Sequence, residues 1–219
     1  MSVKPILFNT EMVRAILDGR KSCTRRINKD VNDYVVPDMD FYDSDKRTYA
    51  VHNYADKEHT DKLSIAERTC PICPGDILYV RETWCKGIER YIYRADYSDR
   101  EKFYQGGKEI EVKWHPSIHM PKEAARIWLK VTDVRVERLQ DITEDGCIAE
   151  GIYPSNCRGC NATFGCDVCP DEGYDEFDKF MEIWDSTIKK TDIDRYGWNA
   201  NPWVWVIEFE RCERGGIDG

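Results

Sequence analysis

Arg126-Ile-Trp-Leu-Lys-Val-Thr-Asp-Val-Arg-Val-Glu-Arg-Leu139 alternates apolar and polar residues, the period of a strand with one buried face. Ile127, Leu129 and Val131 share one parity, while Val134 and Val136 share the other. The slip falls at Thr132-Asp133 and predicts a β-bulge or bend, a device common in small barrels. Outward from this segment, Trp203-Val-Trp-Val-Ile-Glu-Phe209 reads as a final strand, apolar on both faces and so expected to be central in its sheet. Pro5 to Phe8, Ile77 to Glu82 after the Pro74-Gly75-Asp76 turn, and Tyr91 to Ala95 add shorter strands. Thr10 is the expected N-cap of a first helix. Met12, Val13, Ile16 and Leu17 carry its helical spacing, and Gly19 suits its C′ position. Thr143 caps a short helix over residues 144–150. Tyr174, Phe177, Phe180, Met181, Trp184 and Ile188 form a helical stripe whose plain reading is core packing. Long strands and few helices favour an α+β fold built on a small mixed or antiparallel β-barrel with flanking short helices and loop insertions.

The insertions are expected at about residues 30–69, 96–113 and 153–173. The first is polar, Asp- and Tyr-rich and weakly periodic, and reads as a lid outside the core. The second carries Gly106-Gly107 and reads as a hairpin or loop. All 219 residues are expected to form one domain. A hydrophobic content of 41% with 33% charged residues is a globular composition. No apolar run approaches the roughly 20 residues of a membrane span. Met1 to Phe8 lacks a secretory h-region, so the expected location is the cytoplasm.

The net charge of −9 excludes a wholly basic nucleic-acid coat. The charge is unevenly placed. Arg14 to Lys29 holds six bases against one acid, Asp30 to Asp61 nine acids against three bases, and Asp167 to Asp178 six acids and no base. One compact basic segment is thus hidden in an acidic chain. Its simplest reading is a solvated helix end, where cations complement the dipole.

Ten cysteines in a reducing compartment point to metal rather than disulfides. Cys157-Arg-Gly-Cys160 and Cys166-Asp-Val-Cys169 form two C-x2-C pairs five residues apart. Four thiolates suit tetrahedral zinc, and a full thiolate set makes such a site structural rather than catalytic. Unligated thiols, an iron–sulfur cluster or a redox pair are the alternatives. Cys70-Pro-Ile-Cys73 either contributes two ligands or binds nothing. Cys23, Cys85, Cys147 and Cys212 read as single packing residues.

Gly19-Arg-Lys-Ser-Cys-Thr-Arg-Arg26 places a lysine, a hydroxyl and several guanidiniums directly after a helix, a set able to hold a phosphate or polarise a carbonyl. The spacing Gly19-x-Lys21-x-x-Thr24-x-Arg26 resembles the ASCH-domain signature G-x-K-x-x-E-x-R. Lys4 to Phe8, Pro74 to Asp76, Val80 to Trp84, Trp114 to Pro121, Val134 to Ile142, Ala149 to Gly151 and Asn199 to Phe209 extend the likeness to phage and prophage ASCH proteins, some of them labelled morphogenetic. The insertions at 30–69 and 153–173 are the least typical parts.

The resemblance implies a PUA-like barrel with a cleft beside the first helix, RNA or single-stranded nucleic acid or a modified nucleoside as ligand, and a bacterial host cytoplasm if the chain is phage-encoded. Some small members remove the acetyl group of N4-acetylcytidine, and others are ribonucleases. The matching hydrolytic residues are Lys21, Thr24 and Glu150. Thr24 in place of the signature Glu is a departure shared with the deacetylating members. In that chemistry Thr24 is the nucleophile or water-orienting hydroxyl. Lys21, its charge disfavoured by Arg20, Arg25 and Arg26, is the general base. Glu150 holds or shuttles the proton, and Arg26 stabilises an oxyanion or meets a phosphate. Trp84, Trp114 and His119 are candidates to stack on a base, and Glu82 to bond a nucleobase amino group or else to pair with Arg81 or Arg26. An acidic protein-interaction module is the remaining alternative, in which the insertions present the partner surface.

Overall fold

The computed structural model describes residues 1–87, 90–98, 101–152 and 176–214. In chain order, β1 (Val3–Leu7) leads through α1 (Thr10–Leu17) to β2 (Cys23–Ile27). β3 (Val35–Asp43), β4 (Thr48–Tyr54) and β5 (Lys62–Thr69) follow, then β6 (Ile77–Arg81), β7 (Trp84–Lys86) and β8 (Tyr91–Tyr93). After them come the β9 (Phe103–Gln105) and β10 (Lys108–Ile110) hairpin, β11 (Trp128–Arg138), α2 (Glu144–Ala149), α3 (Glu176–Thr187), α4 (Ile193–Tyr196) and β12 (Trp203–Cys212).

The main sheet runs β1-β6-β11-β12-β2, with β1 parallel to β6 and the other pairs antiparallel. The β11–β12 register passes from Val131 opposite Phe209 to Asp133 opposite Glu208, so Thr132 is the extra residue of a bulge. The parity slip therefore does not turn the strand over. Leu129, Val131, Val134 and Val136 all contribute to one apolar cluster, on the face that also takes Leu78, Val80, Trp205 and Ile207. The other face carries Val204 and Val206 against Leu139, Cys147, Phe180 and Trp184. β12 is thus an interior strand with both faces covered, and α2 and α3 lie against the second face.

The chain is a sheet-rich α+β protein, but the main sheet does not close. β1 and β2 are its two edges. α1 and the turn after it connect them in the chain, and a side chain also joins the two edges, Arg26 Nη2 donating to Leu7 O at 2.8 Å. The expected closed barrel is corrected to an open sheet.

Residues 30–69 also depart from expectation. They form the antiparallel sheet β3-β4-β5 rather than an irregular lid. Tyr49 and Val51 are fully buried in the main cluster, and the Tyr49 ring meets Trp205 edge-on at 5.0 Å. The β9–β10 hairpin turns at Gly106-Gly107, both at positive φ (59° and 76°), as a two-residue turn requires. The cap of α1 is Asn9 rather than Thr10, its side chain accepting from Met12 N at 2.8 Å. Thr143 caps α2 as expected. Among the described residues no helix is long and apolar enough to cross a membrane.

Candidate functional site

The basic turn begins where α1 stops. Gly19 takes φ +74°, and the amides of Gly19 and Arg20 donate back to Ile16 O (3.1 Å) and Ala15 O (2.9 Å), the pattern of a glycine-terminated helix. Lys21 N donates to Ala15 O as well, at 3.0 Å. The next residue stitches the turn to two other elements: Ser22 N donates to Ala149 O, and Ser22 O accepts from Phe209 N, each at 2.9 Å. Lys21 is thereby aimed inward. Its side chain has no exposed surface.

Glu150 ends α2 and meets it there. Lys21 Nζ donates to Glu150 Oε2 at 2.5 Å and to Glu150 O at 2.9 Å, so one ammonium group serves both the carboxylate and a terminal helix carbonyl. The approach requires Gly151. It sits at φ +87°, and a Cβ there would stand 2.7 Å from Ala15 Cβ and 3.0 Å from Lys21 Cβ. Arg20 Nη1 donates to Gly151 O at 2.7 Å and its Nη2 to Asp18 at 3.0 Å.

Sheet register places Arg25. It lies opposite Val206, which lies opposite Arg135, and the next rung on the same face joins Ile27, Val204 and Glu137. Residues paired across strands share a face, so Arg25 and Glu137 reach toward each other over β12. Arg25 donates from Nη2 (2.7 Å) and Nε (3.2 Å) to Glu137 Oε1, and its Nη1 stands 3.4 Å from Glu150 Oε1.

A cleft of about 620 Å³ opens along the β2 edge between α1 and α3. That is a normal size for a small-molecule site. Thr24, Arg25, Arg26 and Glu150 line its polar side, and Phe180 and Ile183 its apolar side. The structure thus brings Thr24 and Glu150 to the cleft wall, with Lys21 buried behind Glu150.

The cationic run is not a solvated patch. Arg14 donates to Glu11, Ala95 O and Tyr97 O, and the Arg26 guanidinium lies 5.2 Å from the Phe8 ring centre. Burial lowers the Arg26 pKa, with Glu150 opposing the shift. Burial, reinforced by Glu150, pushes the Cys23 thiol up to about 12, which leaves it a packing residue.

The other candidates do not line this cleft. Glu82 is buried and pairs with neither Arg81 nor Arg26. Arg126 grips both of its oxygens, at 2.9 and 3.0 Å, while burial raises its pKa against that partner. Trp84 packs on Tyr91 and His115, its indole N–H buried without a partner among the described residues. Trp114 packs on Tyr97 and Phe103, and His119 is exposed. Cys157, Cys160, Cys166 and Cys169 lie outside the described residues. Cys70 and Cys73 are buried and donate to Ile72 O and Cys70 O. Among the described residues no group of three or more His, Cys, Asp or Glu could hold a metal.

Sequence reasoning missed Glu137 and Arg126. The only local signal for Glu137 is a charge on the same parity as Arg135 in a strand of alternating apolar and polar residues. Comparison of the chain with known protein families, with curated proteins and with solved structures finds no match.

Proposed function

We propose that the chain is an ASCH-type protein that takes a modified nucleobase or nucleoside into the cleft along β2. One observation supports this: two signature residues, Thr24 and Arg26, line a cleft of nucleoside-binding size beside the first helix, and Lys21 stands behind its Glu150. The internal engagement of Arg14, Arg20 and Arg25 argues for a small ligand or a single flipped base rather than a long phosphate track.

A second reading is favoured by the Lys21–Glu150 contact. It is an amidohydrolase acting on N4-acetylcytidine. The step starts with the shared proton moved from Lys21 Nζ to Glu150 Oε2 across their 2.5 Å contact, leaving a neutral amine and a carboxylic acid. Thr24 Oγ1 attacks the acyl carbonyl as its proton goes to Lys21, and Glu150 gives its proton to the departing N4 amine as the C–N bond breaks. Water then cleaves the acyl–Thr24 ester, releasing acetate and restoring the hydroxyl. Arg26 is the cation available to the developing oxyanion.

Both readings are tested by incubating the protein and Lys21→Ala with N4-acetylcytidine, following cytidine and acetate, and titrating the nucleoside and a single-stranded RNA in a calorimeter. Turnover lost in the variant supports the hydrolase. Binding without turnover supports recognition alone. Neither binding nor turnover overturns both.

A further inference from the structure

Lys21 and Glu150 are the inner end of a longer chain of alternating charges. Outward from Lys21 run Glu150 (2.5 Å), Arg25 (3.4 Å), Glu137 (2.7 Å), Arg135 (3.4 Å) and Glu208 (2.5 Å). Side-chain exposure rises along it from 0% at Lys21 through 6, 3 and 19% to 42 and 44% at Arg135 and Glu208. We propose that Arg25 and Glu137 are positioning residues. Glu137 fixes the Arg25 guanidinium, and Arg25 holds Glu150 Oε1 so that Oε2 is turned to Lys21. This rests on the amidohydrolase reading of the cleft.

Three features support it. First, Arg25 is the partition between two cavities, the 620 Å³ cleft and a second of about 300 Å³ lined by Glu137, Arg135 and Gly146. Only 3% of the Arg25 side chain is exposed, so its charge is compensated by these ion pairs rather than by water. Second, Glu150 stands at a helix C-terminus, the end that disfavours a carboxylate, and the cations Lys21 and Arg25 hold it there. Third, α2 leaves room for the guanidinium by having no side chain at Gly146, where a Cβ would stand 3.1 Å from Arg25 Nη2. The chain is asymmetric in consequence. Its outer members are half in water and screened, so the effect on Lys21 comes from the buried Glu137–Arg25 step.

The test compares Glu137→Gln, Arg25→Gln and, as control, Glu210→Gln, which changes an exposed carboxylate on β12 outside the chain. Two readouts are used: the side-chain nitrogen resonance of Lys21, and the kinetics of N4-acetylcytidine hydrolysis. Expected are a displaced Lys21 resonance and a kcat lower by up to about 10²-fold, the cost of a misplaced catalytic group, with KM held. Glu137→Asp, which keeps the charge, recovers part of both. Folded Glu137→Gln and Arg25→Gln proteins whose Lys21 resonance matches that of Glu210→Gln overturn the proposal. If Glu137→Gln does not fold, Glu137→Asp decides it, since a shortened carboxylate must still displace the resonance. A wild-type protein without turnover overturns the hydrolase reading alone, and the resonance still judges the positioning.

Discussion

Lys21→Met removes the ammonium, which stands 5.6 Å from the Phe8 ring centre, but keeps most of the side chain's length. Among the described residues Glu150, 6% exposed, then keeps Arg25 at 3.4 Å as its cation, and its own carbonyl loses the 2.9 Å bond from Nζ. Breaking a buried pair from one side costs about 3–5 kcal/mol. Domains of this kind have about 5–15 kcal/mol of net stability, so the variant folds with a much reduced margin. At roughly 2–4 °C per kcal/mol for a chain of this size, the expected fall in Tm is about 6–20 °C. Glu150→Met leaves the Lys21 ammonium buried and unpaired, and it is expected to cost a similar amount. The double variant replaces both charges with apolar groups and is expected to be much less unstable than the two losses added together. Urea denaturation of all four proteins closes the cycle, read at constant m. A coupling energy above about 0.5 kcal/mol is required of residues in contact. Losses that simply add would refute the placement of Lys21 against Glu150, and with it every step routed between them.

Other outcomes follow from other sites. Gly19 and Gly151 both sit at positive φ, but only Gly151 has neighbours within reach of a Cβ. Gly19→Ala is expected to cost about 1–2 kcal/mol and Gly151→Ala clearly more, by urea midpoint; equal losses would count against the Ala15–Lys21 contact. Asp76 has no exposed side-chain surface. Burial alone would raise its pKa, but Arg47, the Cys73 amide and Ser2 outweigh that and hold the carboxyl well below the usual range. The unfolded chain then binds the extra proton, so this stabilisation is full above about pH 4 and is lost as pH falls below it. Asp76→Asn should flatten that acid limb in urea midpoints taken from pH 7 to 3. Tyr49→Ala should cost about 3–5 kcal/mol, as for a large buried aromatic; a loss near zero would return residues 30–69 to the status of a detachable lid. The Cys157, Cys160, Cys166 and Cys169 spacing leads us to propose a structural zinc, checked by atomic emission before and after Cys157→Ser. A metal-free, fully folded protein would end that idea.

What could be read from the sequence is what side-chain period and local turn chemistry control. The parity slip at Thr132-Asp133 is visible because a strand's period is two, and one extra residue must invert it. Gly19, Thr143 and Gly106-Gly107 are legible because helix ends and tight turns demand particular residues locally. Asn9 and Thr10 are both good caps, and adjacent candidates cannot be separated by pattern. The sheet of β3 to β5 was illegible because its burial depends on Tyr49 and Val51 meeting Trp205 and the far side of the core, a long-range contact with no local period. The site divides the same way. Lys21 and Thr24 stand out within one turn, but Lys21 and Glu150 are 129 residues apart, and Arg25 and Glu137 112. Sheet register brings the second pair together, and the backbone bond from Ser22 N to Ala149 O the first.

The charges make the physical point most clearly. In the sequence, the segment from Arg14 to Lys29 reads as a positive surface, and positive surfaces attract phosphates. In the fold, Arg14 holds the Ala95 and Tyr97 carbonyls, Arg20 the Gly151 carbonyl, Arg26 the Leu7 carbonyl, and Lys21 and Arg25 the Glu150 carboxylate. Arg14, Arg20, Lys21 and Arg25 are already opposite acceptors of the protein, so a ligand's phosphate would have to displace an internal hydrogen bond to reach them, whereas Arg26 uses one donor on Leu7 O and lines the cleft. A neutral, carbonyl-bearing ligand faces no such exchange, because it can lie against Thr24 and the cation-backed carboxylate as they stand. The basic run is therefore better suited to building one polarised wall than to gripping a nucleic-acid backbone. A Kd for single-stranded RNA that weakens steeply with salt would contradict this, since a steep salt slope requires several phosphates to be neutralised at once.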